Sequence, residues 1–276
     1  MDKRQLIKDI VSFNFSSFIT RFYKLQASLK RGIWMAFNSK KTNDQDYPYR
    51  IPIIINNFNR LNCLRQLVNF LIQNGYKDIH VLDNHSSYPP LLEYYNKIPA
   101  RVHYLGHNYG HLALWRSGLH KKLCKGFYVY TDPDILPDPS CPPDFLNYFL
   151  KQILKYRYKE KIGFSLCIED LPDNYDKKKE VIAWEEAFWG KKLNEELYDA
   201  PIDTTFALYK PFTNGNLWVQ NAIRTGKPYI ARHLPWYENS AELGEEEKFY
   251  RNTLREGASH WIKKQNDMRD LFSRTE

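Results

Sequence analysis

Two carboxylates one residue apart, Asp132 and Asp134, close the run Tyr128-Val129-Tyr130-Thr131-Asp132-Pro133-Asp134. The run opens with aromatic and β-branched residues, which favour a strand. Pro133 then ends it, because proline has no N–H to give to a sheet ladder. Residues i and i+2 of a strand share a side, so the two carboxylates can converge on one point. Converging carboxylates repel unless a cation lies between them. Hard oxygen ligands of this kind suit Mg2+ or Mn2+, often shared with a phosphate-bearing substrate. The competing reading is a proline-rich turn that happens to carry acids.

The elements that must position this pair alternate between strand and helix. Short apolar runs over 51–55, 78–82, 101–105 and 126–131 read as strands. Helices are expected over 59–74, closed by Gly75, over 91–97 and over 109–123. Such alternation implies a parallel sheet covered on both faces, with ligands bound beyond the carboxyl ends of its strands. Asn56-Asn57, Asp83-Asn84 and Asp132 to Asp134 all fall at that end. Further on, 145–158 reads as an amphipathic helix, 162–168 as a strand, 169–180 as a polar loop, 228–231 as a strand and 238–257 as a surface helix.

In this order the motifs resemble those of a GT-A glycosyltransferase, and specifically glycosyltransferase family 2. Asn57-Phe58-Asn59-Arg60 resembles the family's first strand end and its N-R turn. Val81-Leu82-Asp83-Asn84-His85 resembles its second-strand motif, Asn108-Tyr109-Gly110 its N-x-G helix, and Asp132-Pro133-Asp134 its D-x-D. Arg116-Ser117 stands where the family usually has Arg-Asn. The resemblance covers 51–140 and thins beyond 145. It implies a Rossmann-like, mostly parallel sheet flanked by helices. It also implies that Asn57, Asn59, Arg60, Asp83, Asn84, Asn108, Arg116 and Asp132 contact a nucleotide-sugar donor. Asp132 and Asp134 would hold Mn2+ or Mg2+ on its diphosphate, with His233, after the strand-like run 228–231, completing the metal shell. The cation would stabilise charge on the departing nucleoside diphosphate.

An inverting transfer also needs a carboxylate to take the acceptor's proton. Asp203, before a strand-like run, is one candidate. Glu185 and Glu186, between Trp184 and Trp189, are the others. The acceptor would be a saccharide or lipid-linked glycan and the donor UDP-linked. A nucleotidyltransferase acting on sugar phosphates, or a non-catalytic nucleotide- or sugar-binding protein, are the alternatives. The first lacks a glycine-rich phosphate loop with a basic residue near the first strand, and the second would not need the Asp pair.

Charge and composition set the outer limits. The chain has 276 residues and a net charge of +8, of which residues 1–41 carry +7. A nearly neutral globule with a basic arm is not a nucleic-acid-coating protein. In the arm Ile7, Val11, Phe15, Phe18, Phe22, Leu25, Leu29 and Ile33 recur at steps of three and four, with basic residues between them. That pattern predicts an amphipathic helix packed on the domain, lying on an anionic membrane surface, or both. The organisation expected is an arm over 1–45, a catalytic domain over 46–260 divided near 140, and a charged tail over 261–276. Four scattered cysteines, no secretory leader and no run of ~18 apolar residues point to a cytoplasmic protein, peripheral at most at the inner face of a membrane.

Overall fold

A computed structural model describes residues 25–203, 205–213 and 221–254. The expectations for 1–24 of the arm and for the tail lie outside these residues. The chain enters as a helix, α1, over 25–42. Then follow β1 (Ile53–Asn57), α2 (Asn62–Gln73), β2 (Ile79–Asp83), α3 (Pro89–Tyr95), β3 (Arg101–Tyr104), α4 (Ala113–Arg116), α5 (His120–Leu123) and β4 (Tyr128–Thr131). The second half contains β5 (Ile135–Pro137), α6 (Phe145–Lys155), β6 (Lys161–Leu166), α7 (Lys178–Glu186), β7 (Leu197–Tyr198), β8 (Ala207–Tyr209), β9 (Ala222–His233) and α8 (Glu245–Thr253).

The strands form one mixed sheet in the order β3-β2-β1-β4-β8-β6-β9-β5, with β7 on β9. β1 pairs in parallel with β2 and β4, and β2 with β3. β8 is antiparallel to both β4 and β6, so β6 again runs with β4, and β9 runs with β6. The carboxyl ends of β1, β2, β4, β6 and β9 therefore share one edge. This bears out the expected α/β class with a mostly parallel sheet.

Period-two alternation divides the core between the two faces. Ile53, Ile55, Val81 and Val129 face one way, against Leu64, Leu67 and Leu71 of α2, Leu91 and Tyr95 of α3 and Phe145, Phe149 and Ile153 of α6. Ile54, Leu82, Tyr128 and Tyr130 face the other, against Leu114 and Trp115 of α4 and Tyr209. Fully burying one such side chain contributes about 1.5–3 kcal/mol, so either layer is ample to hold the sheet.

Several boundaries differ from expectation for local reasons. The helix over 59–74 starts only at Asn62, because Asn59 has a left-handed backbone with φ 52°. The helix over 109–123 is broken into a 3-10 turn at Gly110–Leu112, α4 and α5, with Gly110 at φ 70° and Gly118 at φ 79°. Such angles suit glycine and end a right-handed helix. The polar loop over 169–180 gives way to α7 at Lys178, and the strand over 228–231 is the far end of the longer β9. The surface helix over 238–257 is confined to α8 within the described residues. The polar stretch over 38–50, whose composition suggests a linker, is folded. The helix runs to 42, Tyr47 is buried and Pro48–Arg50 forms a 3-10 turn.

Candidate functional site

At the ends of β1 and β2 a chain of polar groups, Asn57, Tyr95 and Asp83, is fixed by hydrogen bonds. Asn57 Nδ2 donates to the Tyr95 hydroxyl at 2.8 Å, and that hydroxyl donates to Asp83 Oδ1 at 3.1 Å. Burial, and then Asp83, push the Tyr95 phenol well above its ordinary pKa, so it stays a donor. Ser86 N–H also reaches the Asp83 carboxylate, at 3.3 Å. Asn84 bridges to the next loop, donating to Gly110 O at 3.0 Å and accepting from Tyr109 N–H at 2.7 Å. Asn108 Oδ1 accepts from Gly110 N–H at 2.8 Å, and Arg116 Nη1 donates to Tyr109 O at 3.0 Å. Asn84, Asn108 and Arg116 thus hold one loop, the one that faces β1. Asn56 Oδ1 and Asn57 Oδ1 are buried with no hydrogen-bond partner among the described residues. A buried acceptor without a donor costs about 1–3 kcal/mol, so this corner is short of donors.

Asn59 and Arg60 are turned to a different task. Asn59 Oδ1 accepts from Ser87 N–H at 2.7 Å and Tyr88 N–H at 3.0 Å, capping the entry to α3, while Nδ2 donates to Thr253 at 3.0 Å. Arg60 is buried in an ion pair with Glu247 and lies 3.7 Å from the Tyr250 ring centre. Burial disfavours the Arg60 charge, and Asp134, Tyr250 and Glu247 hold it protonated. Glu246 accepts from Asn62 N–H at 2.9 Å, supplying α2 with an N-terminal acceptor from outside the helix. Both residues expected to touch a donor therefore fasten α8 across the end of β1.

The Asp pair follows β4 directly, and β5 begins one residue after it. Antiparallel pairing of β5 with β9 sets Ile135 opposite His233, and Leu234 N–H donates to Asp134 O at 2.9 Å. His233 Nε2 lies 3.6 Å from Asp134 Oδ2. Burial lowers the His233 pKa against the pull of Asp134, which favours the neutral ring a cation needs. Its Nδ1 is buried without a hydrogen-bond partner among the described residues. No group of three or more His, Cys, Asp or Glu side chains is drawn together as a metal cage among the described residues. The donors nonetheless fit Mn2+ or Mg2+ in kind: carboxylate oxygen beside a neutral imidazole.

The three expected proton acceptors separate. Asp203 is exposed and Glu186 is exposed, whereas Glu185 is buried at 3% exposure. The Glu185 carboxylate lies 2.6 Å from Arg224 Nη1 in a buried ion pair. Burial raises its pKa, and Arg224 opposes that rise. Committed to Arg224, Glu185 is a packing group. Arg224 Nε in turn donates to Pro201 O at 2.8 Å. Lys161, buried at the start of β6, donates to Asp203 O and to the Tyr209 hydroxyl, each at 3.2 Å. Two buried basic side chains thus hold the carbonyls of the loop that carries Asp203. Burial pushes the Tyr130 and Tyr209 hydroxyls upward, and Asp132 and Asp203 both add to the rise at each ring. Both carboxylates therefore act electrostatically on the same pair of tyrosines.

Glu186 instead lines a pocket of about 210 Å³ with Trp189, Cys167, Ile168, Glu169, Lys227 and Ile230. Tyr95, Lys161, Arg224 and the Glu246-Glu247 pair have structural roles that the sequence reading did not assign. For Lys161 the only signal was a lysine opening an apolar strand. No protein-family model and no curated protein sequence matches the chain.

Proposed function

We propose that the protein is a metal-dependent glycosyltransferase with a GT-A fold, moving a sugar from a nucleotide donor, UDP-linked in this reading, to a saccharide or lipid-linked glycan hydroxyl, with inversion. The observation that carries this reading is the pairing of Asp134 with His233, set by the β5–β9 register, at the same sheet edge as Asp83 and Asn57. In this reading Asp132, Asp134 and His233 hold Mn2+ or Mg2+, which when bound neutralises the diphosphate as it leaves. Asp83, oriented by Tyr95 and Ser86, accepts from the donor base, and Asn57 lies beside it. Asp203 takes the acceptor's proton. It is exposed, its loop is anchored from beneath, and it acts electrostatically on the same tyrosines as Asp132.

The test is a thermal-shift panel of nucleoside diphosphates and nucleotide sugars, each with and without Mn2+. A ligand that binds only the folded state raises the melting temperature as its concentration exceeds its Kd. A Mn2+-dependent rise with one diphosphate, absent in Asp134→Ala, is expected. Asp134→Ala is also expected to lower transfer by ~10²–10³-fold. No rise with any nucleotide, with or without metal, returns the Asp pair to a turn.

A further inference from the structure

The apolar stripe of α1 points away from the domain. Leu25, Leu29, Ile33 and Phe37 are 69%, 67%, 53% and 86% exposed. They follow every fourth residue, so they form one stripe that drifts only ~40° per turn around the helix. The other large exposed hydrophobics of the described surface, such as Ile72, Leu92 and Tyr104, come from separate elements, as is usual for a folded chain. Four together on one helix face are not.

The opposite face makes the docking contacts. Ala27 is buried, and Trp34 meets Phe127 edge-on with ring centres 5.8 Å apart. Arg31 Nη1 donates to Glu160 Oε1 at 3.1 Å and Nε to Pro211 O at 3.2 Å. The helix is thus fixed to the domain without using the stripe, and the residues whose spacing suggests a buried face are the exposed ones.

We propose that this outward face of α1 docks on an anionic lipid bilayer surface. The charge around the stripe selects the occupant. Residues 25–42 contain no acidic side chain, and Lys30 and Lys40 are exposed on the same side. Apolar side chains that enter the headgroup boundary beneath basic residues suit an anionic leaflet. A second copy of the chain fits poorly, because a two-fold interface would set this basic face against itself. The helix lies on the bilayer and does not cross it, since no described helix is long and apolar enough to span one.

The attachment also has a direction. Phe127 precedes β4, Glu160 precedes β6 and Pro211 follows β8, so α1 lies at the sheet edge opposite Asp132 and Asp134. Those edges are separated by the length of β4, about 13 Å for its four residues. The face acts as a tether and leaves the candidate site open to the aqueous side. This inference does not depend on which reaction the site performs.

Flotation of the full chain with phosphatidylcholine vesicles, with and without about one-third phosphatidylserine, tests it. Binding to the anionic vesicles alone is expected, weakened by added salt. Leu29→Asp with Phe37→Asp is expected to cut the bound fraction by ~10-fold or more without moving the melting temperature, since both side chains are exposed. Lys30→Glu with Lys40→Glu is expected to weaken binding to the anionic vesicles selectively. Absence of flotation, or flotation that survives Leu29→Asp with Phe37→Asp, overturns the proposal. Either result would leave the stripe to residues 1–24 or to a second copy. A dimer in light scattering that these aspartates dissociate, without flotation, overturns it in favour of self-association.

Discussion

The two halves of the sheet solve the same problem with different chemistry. Around β1 and β2 the side chains at the strand ends, Asn57 and Asp83, are held by neutral groups, the Tyr95 hydroxyl of α3 and the Ser86 N–H. Around β6 and β9 the supporting groups are ionisable side chains inside the sheet layer: Lys161, and the ion pair of Arg224 with Glu185. Neutral groups hold orientation at a modest desolvation cost. Buried charges hold it more tightly but only as complete sets, because removing one partner strands the other. The Asn57-Tyr95-Asp83 network is therefore tolerant, and the Arg224–Glu185 pair brittle, as is the Arg60–Glu247 pair that fastens α8 across β1.

The largest break in that comparison is Glu185→Ala. It leaves the Arg224 guanidinium buried with its bond to Pro201 O and the Phe188 ring but no counter-charge, and should cost about 3–5 kcal/mol of stability. In a chain of this size that corresponds to a fall of ~10 °C in melting temperature. Glu185→Gln keeps an acceptor and should cost less. If Glu185→Ala melts like the parent chain but abolishes transfer, Glu185 is a proton acceptor after all and the pairing with Arg224 is incidental.

The equivalent change in the first half should be milder. Tyr95→Phe removes the hydroxyl between Asn57 and Asp83 while keeping the ring in the core, a loss of about 1–2 kcal/mol. Under the glycosyltransferase reading its main effect should be a raised KM for the donor with little change in kcat, because Asp83 loses orientation and not chemistry. Equal falls in kcat and kcat/KM would move Asp83 from donor binding to the reacting centre.

This division also explains what could be read from the residues alone. The alternation of strand and helix, the sheet edge carrying Asn57, Asp83 and Asp132, and the candidacy of His233 were all legible, because each depends on a contiguous motif or a short apolar run. The buried ion pair was not. Glu185 between two tryptophans looks like a ligand platform until Arg224, on a strand far along the chain, is brought against it. Asn59 and Arg60 matched a turn motif, yet α8 claims both side chains through Thr253 and Glu247. In α1, periodicity revealed an apolar face but carried no information on whether that face looks inward. Trp34 and Arg31, which fix the answer, lie off the stripe.

A gradual effect, spread over several pH units, sharpens the contrast through pH. Burial lowers Lys161 to about 7, with Asp203 opposing and Arg224 adding to the shift. An unfolded lysine titrates near ~10.4. Between those values the unfolded chain holds a proton that the folded chain has released. The contribution is thus complete above the unfolded pKa and lost as pH falls toward 7, so stability should rise with pH across that window by at most about 1.4 kcal/mol per unit. Lys210, lowered to about 8 mainly by burial, adds the same sign over the upper part of the window. Above pH ~10 the buried tyrosines, raised by burial, reverse the trend. Denaturant titrations of Lys161→Met from pH 7 to 10 should show a flatter rise than the parent chain. An unchanged slope would mean that Lys161 stays charged in the folded state, clamping the Asp203 loop as a cation and not as a neutral amine.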